Sequence, residues 1–332
     1  MSDKPVLFVS FRPLERAENI RAIYDAYQGR KEHILSTDPD YVSKVLSGRY
    51  DIMVTDDFPT VTPGECIMIW HGIQGGKHIG LDQHGSPYYR RELIRNITYI
   101  ISASVDAIPM WQQCTGAEAY QVCALGMPRT DAYIGKKKGD GHTFLADKTS
   151  YLFVPTFRDN GETRFPTIDW DYIDNTLTDD ELFVIKAHPW QIYQGKIKQI
   201  KIKHKPYKHI RVVEESEPSA PYLYDADVVI TDYSSIMFDA YLLNKPVVLF
   251  EKNQGYTKTR GMYMKYPDEY CTWYAVDEAQ LIELTHSALH TGLLETERNC
   301  VKTVAGACDG NACKRICFLI DMMKGDIVWK SP

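Results

Sequence analysis

Polar groups suited to phosphate chemistry stand directly after short apolar runs in this chain. His71 follows Ile67-Met-Ile-Trp70, Arg158 follows Tyr151-Leu-Phe-Val-Pro-Thr156, His188 follows Phe183-Val-Ile-Lys-Ala187, and Ser234 and Ser235 come soon after Val228-Val-Ile-Thr231. An imidazole near its ordinary pKa takes or gives a proton at neutral pH, and a guanidinium offers a planar fork to phosphate oxygens. Hydroxyls beside the free amides of a first helical turn attract an anion. The stretch from Asp227 to Asp239 is the densest of these places. Its Thr231, Asp232, Ser234 and Ser235 precede the helical spacing of Ile236, Phe238, Ala240 and Leu243. Two readings fit it: a phosphate held at a helix start, or hydroxyls that only cap the helix.

These residues need strands that end at a common edge. Strands are expected at Val6–Ser10, His33–Ser36, Ile52–Thr55, Cys66–Trp70, Tyr99–Ser102 and Tyr120–Ala124, with helices near Leu14–Tyr27, Asp40–Leu46 and Asp106–Gln113. A polar stretch over 135–147, containing Lys136-Lys-Lys-Gly-Asp-Gly141, has no apolar period and reads as a linker. Alternation then resumes with strands at Ser150–Pro155, Leu182–His188, Ile210–Val213, Val228–Thr231 and Pro246–Phe250, and a last helix near Asn311–Met323. The fold class implied is α/β, with two Rossmann-like domains, 1–138 and 139–332, the last helix being free to pack back on the first. Ligands of open parallel sheets bind beyond the carboxyl ends of the strands, which is where the residues above fall, so they are expected to line one cleft.

Composition agrees with a globular chain. Of 332 residues, 44% are hydrophobic and 25% charged, and no run approaches the roughly 20 apolar residues of a membrane span. No basic segment followed by an apolar signal region opens the chain, so a cytoplasmic protein is expected. A formal net charge of −6 argues against a nucleic-acid partner. The basic run Lys196, Lys198, Lys201, Lys203, Lys205, Lys208, Arg211 is either a patch for an anionic polymer or lipid head groups, or an ordinary solvated loop. Eight cysteines without an export signal read as thiols, and Cys308, Cys313 and Cys317 lack the C-x-x-C pairs of a zinc site.

Taken together, the motifs resemble a known family. Trp70-His-Gly72, Leu125-Gly-Met-Pro-Arg-Thr-Asp131, Val154-Pro-Thr-Phe-Arg-Asp159, Lys186-Ala-His-Pro189, Ile230-Thr-Asp-Tyr-Ser-Ser-Ile-Met-Phe-Asp239, Arg260-Gly261 and Asp309-Gly-Asn-Ala312 occur in the order seen in CDP-glycerol glycerophosphotransferases, the teichoic-acid primases and polymerases. The resemblance covers roughly residues 65 to 320 and implies the two-Rossmann GT-B fold. It implies a transferase in which an acceptor hydroxyl attacks the glycerol-bearing phosphorus of CDP-glycerol and CMP leaves. His71 is then the general base, and His188 assists the departing CMP. Arg158, Ser234, Ser235 and Arg260 hold the donor phosphates, while Thr231, Asp232 and Asp239 lie near the nucleotide or its ribose, Asp239 alternatively as a structural partner. Gly72, Gln74 and Lys77 lie near the acceptor, a lipid-linked or polysaccharide chain of cell-wall or capsule type. No cofactor and no metal is required, because Arg, His, Ser and a helix terminus neutralise the charge. Asp225-Ala-Asp227 precedes its strand and Asp169-Trp-Asp171 falls in a polar loop, so both Asp-x-Asp pairs are expected to be structural.

Of two departures from the family pattern, the first bears on the acceptor and the second is an aromatic replacement expected to preserve packing. Ile73-Gln-Gly-Gly-Lys77 replaces the usual Thr-Pro continuation after Trp-His-Gly, and Phe157 stands where Trp is usual. The stretch Pro87-Tyr-Tyr-Arg-Arg-Glu-Leu-Ile-Arg-Asn96 fits either an interfacial helix meeting a lipid-linked acceptor at the inner membrane face or an ordinary surface helix. Alternatives of the same fold are transfer from CDP-ribitol or a nucleotide sugar, and a UDP-sugar 2-epimerase-like isomerase. A non-catalytic nucleotide or polyanion binder is a third class.

Overall fold

Runs of β-branched and aliphatic residues that are buried on both faces make parallel strands rather than alternating ones. The computed structural model describes residues 3–76, 78–79, 91–156, 167–186, 206–214, 217–252 and 261–326, with the backbone alone for 91–93. They form two compact units, one of residues 1–75, 79–134 and 302–332, the other of 76–78 and 135–301.

In the first unit the strands are β1 (Val6–Ser10), β2 (Lys31–Leu35), β3 (Ile52–Thr55), β4 (Glu65–Ile69), β5 (Tyr99–Ser102) and β6 (Val122–Ala124). All pair in parallel in the order β2-β1-β3-β4-β5-β6, so the winding reverses between β1 and β3. Alternate residues serve opposite faces. Leu7, Val9, Met53 and Met68 pack with Tyr41 and Val45 of α2 (Tyr41–Val45) and Trp111 of α3 (Ile108–Thr115). Phe8 points the other way and meets Tyr24 of α1 (Glu18–Ala26) edge-on at 5.3 Å. The helix expected over Leu14–Tyr27 is divided. Leu14–Arg16 is a 3-10 turn, and Ala17, buried at φ −92° and ψ 67°, breaks the spiral before α1 begins.

In the second unit the strands are β7 (Thr149–Phe153), β8 (Glu181–Ile185), β9 (Ile210–Val212), β10 (Val228–Thr231), β11 (Val247–Phe250) and β12 (Tyr274–Ala275), parallel in the order β12-β11-β10-β7-β8-β9. Here the reversal falls between β7 and β10. One face packs Tyr151, Phe153, Phe183, Ile230 and Phe250 against Trp170 and Ile173 of α4 (Trp170–Thr176) and Leu281, Ile282 and Ala288 of α7 (Glu278–Thr291). Also in this unit, α5 (Ser219–Asp225) packs beside β7, and α6 (Ile236–Leu242) beside β10 and β11. Helix α8 (Glu295–Ala305) follows, and the last helix, α9 (Ala312–Met323), lies against α1 in the first unit. These are two Rossmann-like units of the GT-B type.

Asp169-Trp-Asp171 belongs to a helix, not to the polar loop expected. Asp169 is the N-cap of α4, its carboxylate accepting the Tyr172 N–H at 3.1 Å, and Trp170 enters the core. The structural role assigned to Asp225 has a concrete form. Its carboxylate accepts the N–H groups of Gly139, Gly141 and Thr143 at 2.8 to 3.0 Å and so pins the loop leading into β7. Asp227 accepts from Lys138 and from the Ser150 N–H. Of Pro87–Asn96, the described part, Arg91–Asn96, is a 3-10 turn whose Ile94 is buried in the core, so that aliphatic is not displayed at the surface.

Candidate functional site

The polypeptide leaves the β4 ladder after Ile69, whose partner is Ile101 of β5. Trp70 comes next, and its ring lies 5.5 Å from Phe58 and 6.4 Å from the fully buried Trp111. His71 stacks on Trp70 at 4.1 Å with 36° between the planes, and it is exposed. The imidazole is thus braced on one face by an anchored indole. The following Gly72, Ile73, Gln74 and Gly75 turn inward and are buried. Gly75 adopts φ +141°, and a Cβ there would come within 2.3 Å of Val304 Cγ1, so only glycine fits. Gln74 is 2% exposed, and among the described residues neither amide atom has a hydrogen-bond partner, a cost of about 1–3 kcal/mol per unsatisfied group. Gln74 thus sits under the His71 loop rather than on its outer surface. Lys77 lies outside the described residues.

In the second unit the strand reversal brings the ends of β7 and β10 together. The Thr231 hydroxyl donates to the Val154 carbonyl at 2.6 Å, and Asp232 Oδ1 accepts the N–H groups of Thr156 at 2.8 Å and Tyr233 at 2.7 Å. Thr231 and Asp232, both buried, therefore fasten the switch point. Ser234 and Ser235 are half-buried beside it. Ser235 holds the N-cap position of α6 without a side-chain capping bond, and Ser234 Oγ only approaches the Ile236 N–H at 3.4 Å. Capping therefore takes little from either hydroxyl. Asp239, one turn into α6, is 1% exposed. Arg158, His188 and Arg260 lie outside the described residues. Gly261, beside Arg260, accepts the His78 N–H at 2.8 Å, and a Cβ on it would stand 2.3 Å from the His78 ring.

Two ionisable residues at these sheet edges were given no role in the motif reading. Asp56 follows β3 at the first unit's strand reversal, 8% exposed, with Oδ1 accepting the Phe11 N–H at 3.2 Å. Burial pushes its carboxyl up to about 6, the Phe11 bond opposing in part. Lys186 follows β8, is 2% exposed, and donates to the Glu214 carbonyl at 3.3 Å. The signal for each was an ionisable residue at the end of an otherwise apolar run.

Two further motifs serve architecture. Asp131 accepts the N–H groups of Ala312 at 2.9 Å and Cys313 at 2.8 Å, capping α9. Arg315 donates to the Leu125 and Ala307 carbonyls and forks onto Asp309, whose carboxyl it holds at about 2. Gly126 stands at φ +86°, and a Cβ there would meet the Ala307 oxygen at 2.3 Å. Among the described residues no group of three or more His, Cys, Asp or Glu side chains is arranged to hold a metal ion, and no helix is long and apolar enough to cross a membrane.

Two parallel Rossmann-like units, with an exposed histidine beyond one strand and a serine pair at the other unit's switch point, define a GT-B-type protein. The chain belongs to the CDP-Glycerol:Poly(glycerophosphate) glycerophosphotransferase family, whose profile matches residues 28–321. It is 28% identical to the teichoic acid poly(ribitol-phosphate) polymerase of Bacillus spizizenii, over 79% of this chain and 48% of the polymerase. It is 26% identical to the teichoic acid glycerol-phosphate primase of the same organism, over 61% of this chain and 55% of the primase. The chain thus spans about half the length of these curated relatives. Its fold is similar to that of the wall teichoic acid polymerase TagF, with a TM-score of 0.77 at 17% identity, covering 98% of this chain and 90% of that one.

Proposed function

We propose that the protein transfers glycerol phosphate from CDP-glycerol to a hydroxyl of a teichoic-acid-like acceptor, releasing CMP. His71 takes the acceptor proton, the oxygen bonds to the glycerol-bearing phosphorus, and the bond from that phosphorus to the CMP oxygen breaks. The single observation that carries this is the exposed imidazole of His71, braced on Trp70 at the carboxyl end of β4. Phosphoryl transfer of this kind needs positioning, a base and charge neutralisation more than covalent chemistry from the protein. Ser234 and Ser235 receive the donor phosphates, together with Arg158, His188 and Arg260. Gly72, Gln74 and Lys77 shape the acceptor side, and the acceptor is a lipid-linked or polysaccharide chain met at the inner membrane face. No cofactor is required.

A second reading keeps the chemistry and changes the polyol: CDP-ribitol as donor. What favours it is that the relative aligned over 79% of this chain is a ribitol-phosphate polymerase. Purified protein incubated with CDP-glycerol, CDP-ribitol and a panel of nucleotide sugars, with CMP, UMP and UDP measured, decides between them. CMP release from CDP-glycerol, reduced at least about 100-fold by His71→Ala, is expected. UDP release from a nucleotide sugar, or full turnover in His71→Ala, refutes the proposal.

A further inference from the structure

His71 lies beyond the last ladder pair of β4, so the strand does not by itself set the direction of its side chain. Two residues from other elements hold the backbone there. Asn19, in the first turn of α1 and 2% exposed, donates Nδ2 to the Trp70 carbonyl at 2.8 Å. The same side chain accepts the Arg129 N–H on Oδ1 at 3.0 Å. Arg129 in turn donates Nη1 to the carbonyl of His71 itself, with Nε 3.9 Å from the Glu18 carboxylate. Its side chain is only 9% exposed.

The peptide groups on both sides of the His71 Cα are thereby fixed, one by a buried amide and one by a guanidinium. Turning either peptide would swing the ring off Trp70 and leave a buried Asn or Arg donor without that acceptor, which is costly for an amide and more so for a charged group. The Leu125–Asp131 motif, whose Asp131 caps α9, contributes Arg129 to a different task.

We propose that Asn19 and Arg129 are positioning residues for His71, clamping the Trp70 and His71 carbonyls so that the imidazole keeps the orientation proton transfer needs. The proposal rests on the reading of His71 as the base. A displacement of about 1 Å costs on the order of 100-fold in rate, so the clamp is expected to act on turnover rather than on donor affinity.

The test uses the full chain with Asn19→Asp, Asn19→Leu, Arg129→Lys and Arg129→Met. Asn19→Asp keeps the shape and the bond from the Arg129 N–H but sets a carboxylate oxygen against the Trp70 carbonyl. Arg129→Lys retains a cation able to reach the His71 carbonyl. Each variant is scored for CMP release from CDP-glycerol and for thermal midpoint. The rate at which diethyl pyrocarbonate modifies His71 is read by peptide mass spectrometry, with His286 as internal reference. Expected are a kcat loss of about 10- to 100-fold in Asn19→Leu and Arg129→Met with KM for the donor held within about threefold, and partial recovery in Arg129→Lys. His71 modification should rise relative to His286 in the same variants, because the ring then leaves the Trp70 face that covers it. If the Leu and Met variants fail to fold, Asn19→Asp and Arg129→Lys carry the same two readouts at smaller amplitude. Folded variants with unchanged kcat and unchanged His71 modification, or with a rise in KM alone, overturn the clamp. A wild-type protein that releases CMP from neither CDP-alcohol removes the base role of His71, and the modification ratio then decides the clamp by itself.

Discussion

Replacing Glu181 by Gln probes the electrostatics that hold the second unit. Glu181 opens β8 and is 8% exposed. One carboxylate oxygen receives the Tyr151 hydroxyl and lies 2.6 Å from His286 Nε2, while the other accepts the N–H and hydroxyl of Thr178, both at 2.8 Å. Burial alone would raise this carboxyl, but the bonds from Tyr151, Thr178 and His286 together outweigh it and bring the pKa from 4.5 to about 2. Because the folded value is depressed, the stabilisation is complete above the unfolded value and is lost as pH falls through the folded one. The difference between 4.5 and about 2 is equivalent to about 3 kcal/mol, of which about 1 is gone by pH 4 and about 2 by pH 3. Gln cannot ionise, and its amide N–H faces donors wherever the second oxygen stood. Urea unfolding at pH 7, 5, 4 and 3, followed by tryptophan fluorescence, should place Glu181→Gln about 3 kcal/mol below wild type at pH 7 and about 1 below at pH 3. A gap that stays constant across that range refutes the assignment, since it would mean that the ionised state is not what Tyr151 and Thr178 stabilise.

Asp56→Asn should act in the opposite sense. Its carboxyl is raised to about 6 in the fold, so protonated Asp56 stabilises and the benefit disappears as pH rises from 3.8 through 6. The variant is expected to exceed wild type by up to about 3 kcal/mol at pH 7 and to match it below pH 4, and a less stable variant at pH 7 counts against the burial argument. Gly126→Ala should lose at least about 2 kcal/mol in denaturant titrations, because φ +86° and the Ala307 oxygen both oppose a Cβ. Asp131→Ala leaves two amides of α9 without their acceptor and should cost about 1 kcal/mol, a fall of about 2–4 °C in thermal midpoint, where an unmoved midpoint would show that solvent replaces the cap.

The strands were the legible part, because buried parallel strands are continuous apolar runs with abrupt polar ends. Val6–Ser10, Ile52–Thr55, Tyr99–Ser102 and Val228–Thr231 have the expected bounds. Helices were less so. With seven residues each, α4 and α5 are too short to display a period, which is why Asp169 looked like loop. The expectations omitted α7, although Asp277 as cap, Leu281, Ile282, Thr285 and Ala288 on one face, and Gly292 after them carry a helical pattern. At the site, His71 and the serine pair announced themselves by standing after apolar runs. Asn19 did not, since its partners lie 51 and 110 residues away and an Asn in a helix carries no mark of what it binds.

The motifs therefore divide by what their polar atoms touch. Those of Asp131, Arg315 and Asp309 meet backbone amides, carbonyls or one another, which secures α9 against the end of β6. Thr231 and Asp232 do the same for the β7 and β10 ends. By contrast His71 projects its ring outward, and Ser234 and Ser235 keep hydroxyls little engaged in capping. In a reaction whose barrier is lowered chiefly by alignment and charge, both halves are needed, because a base that can swing gains little from a suitable pKa. Asn19 and Arg129 join the halves: like the first set they meet backbone groups, yet the atoms they hold are the carbonyls beside the group that acts.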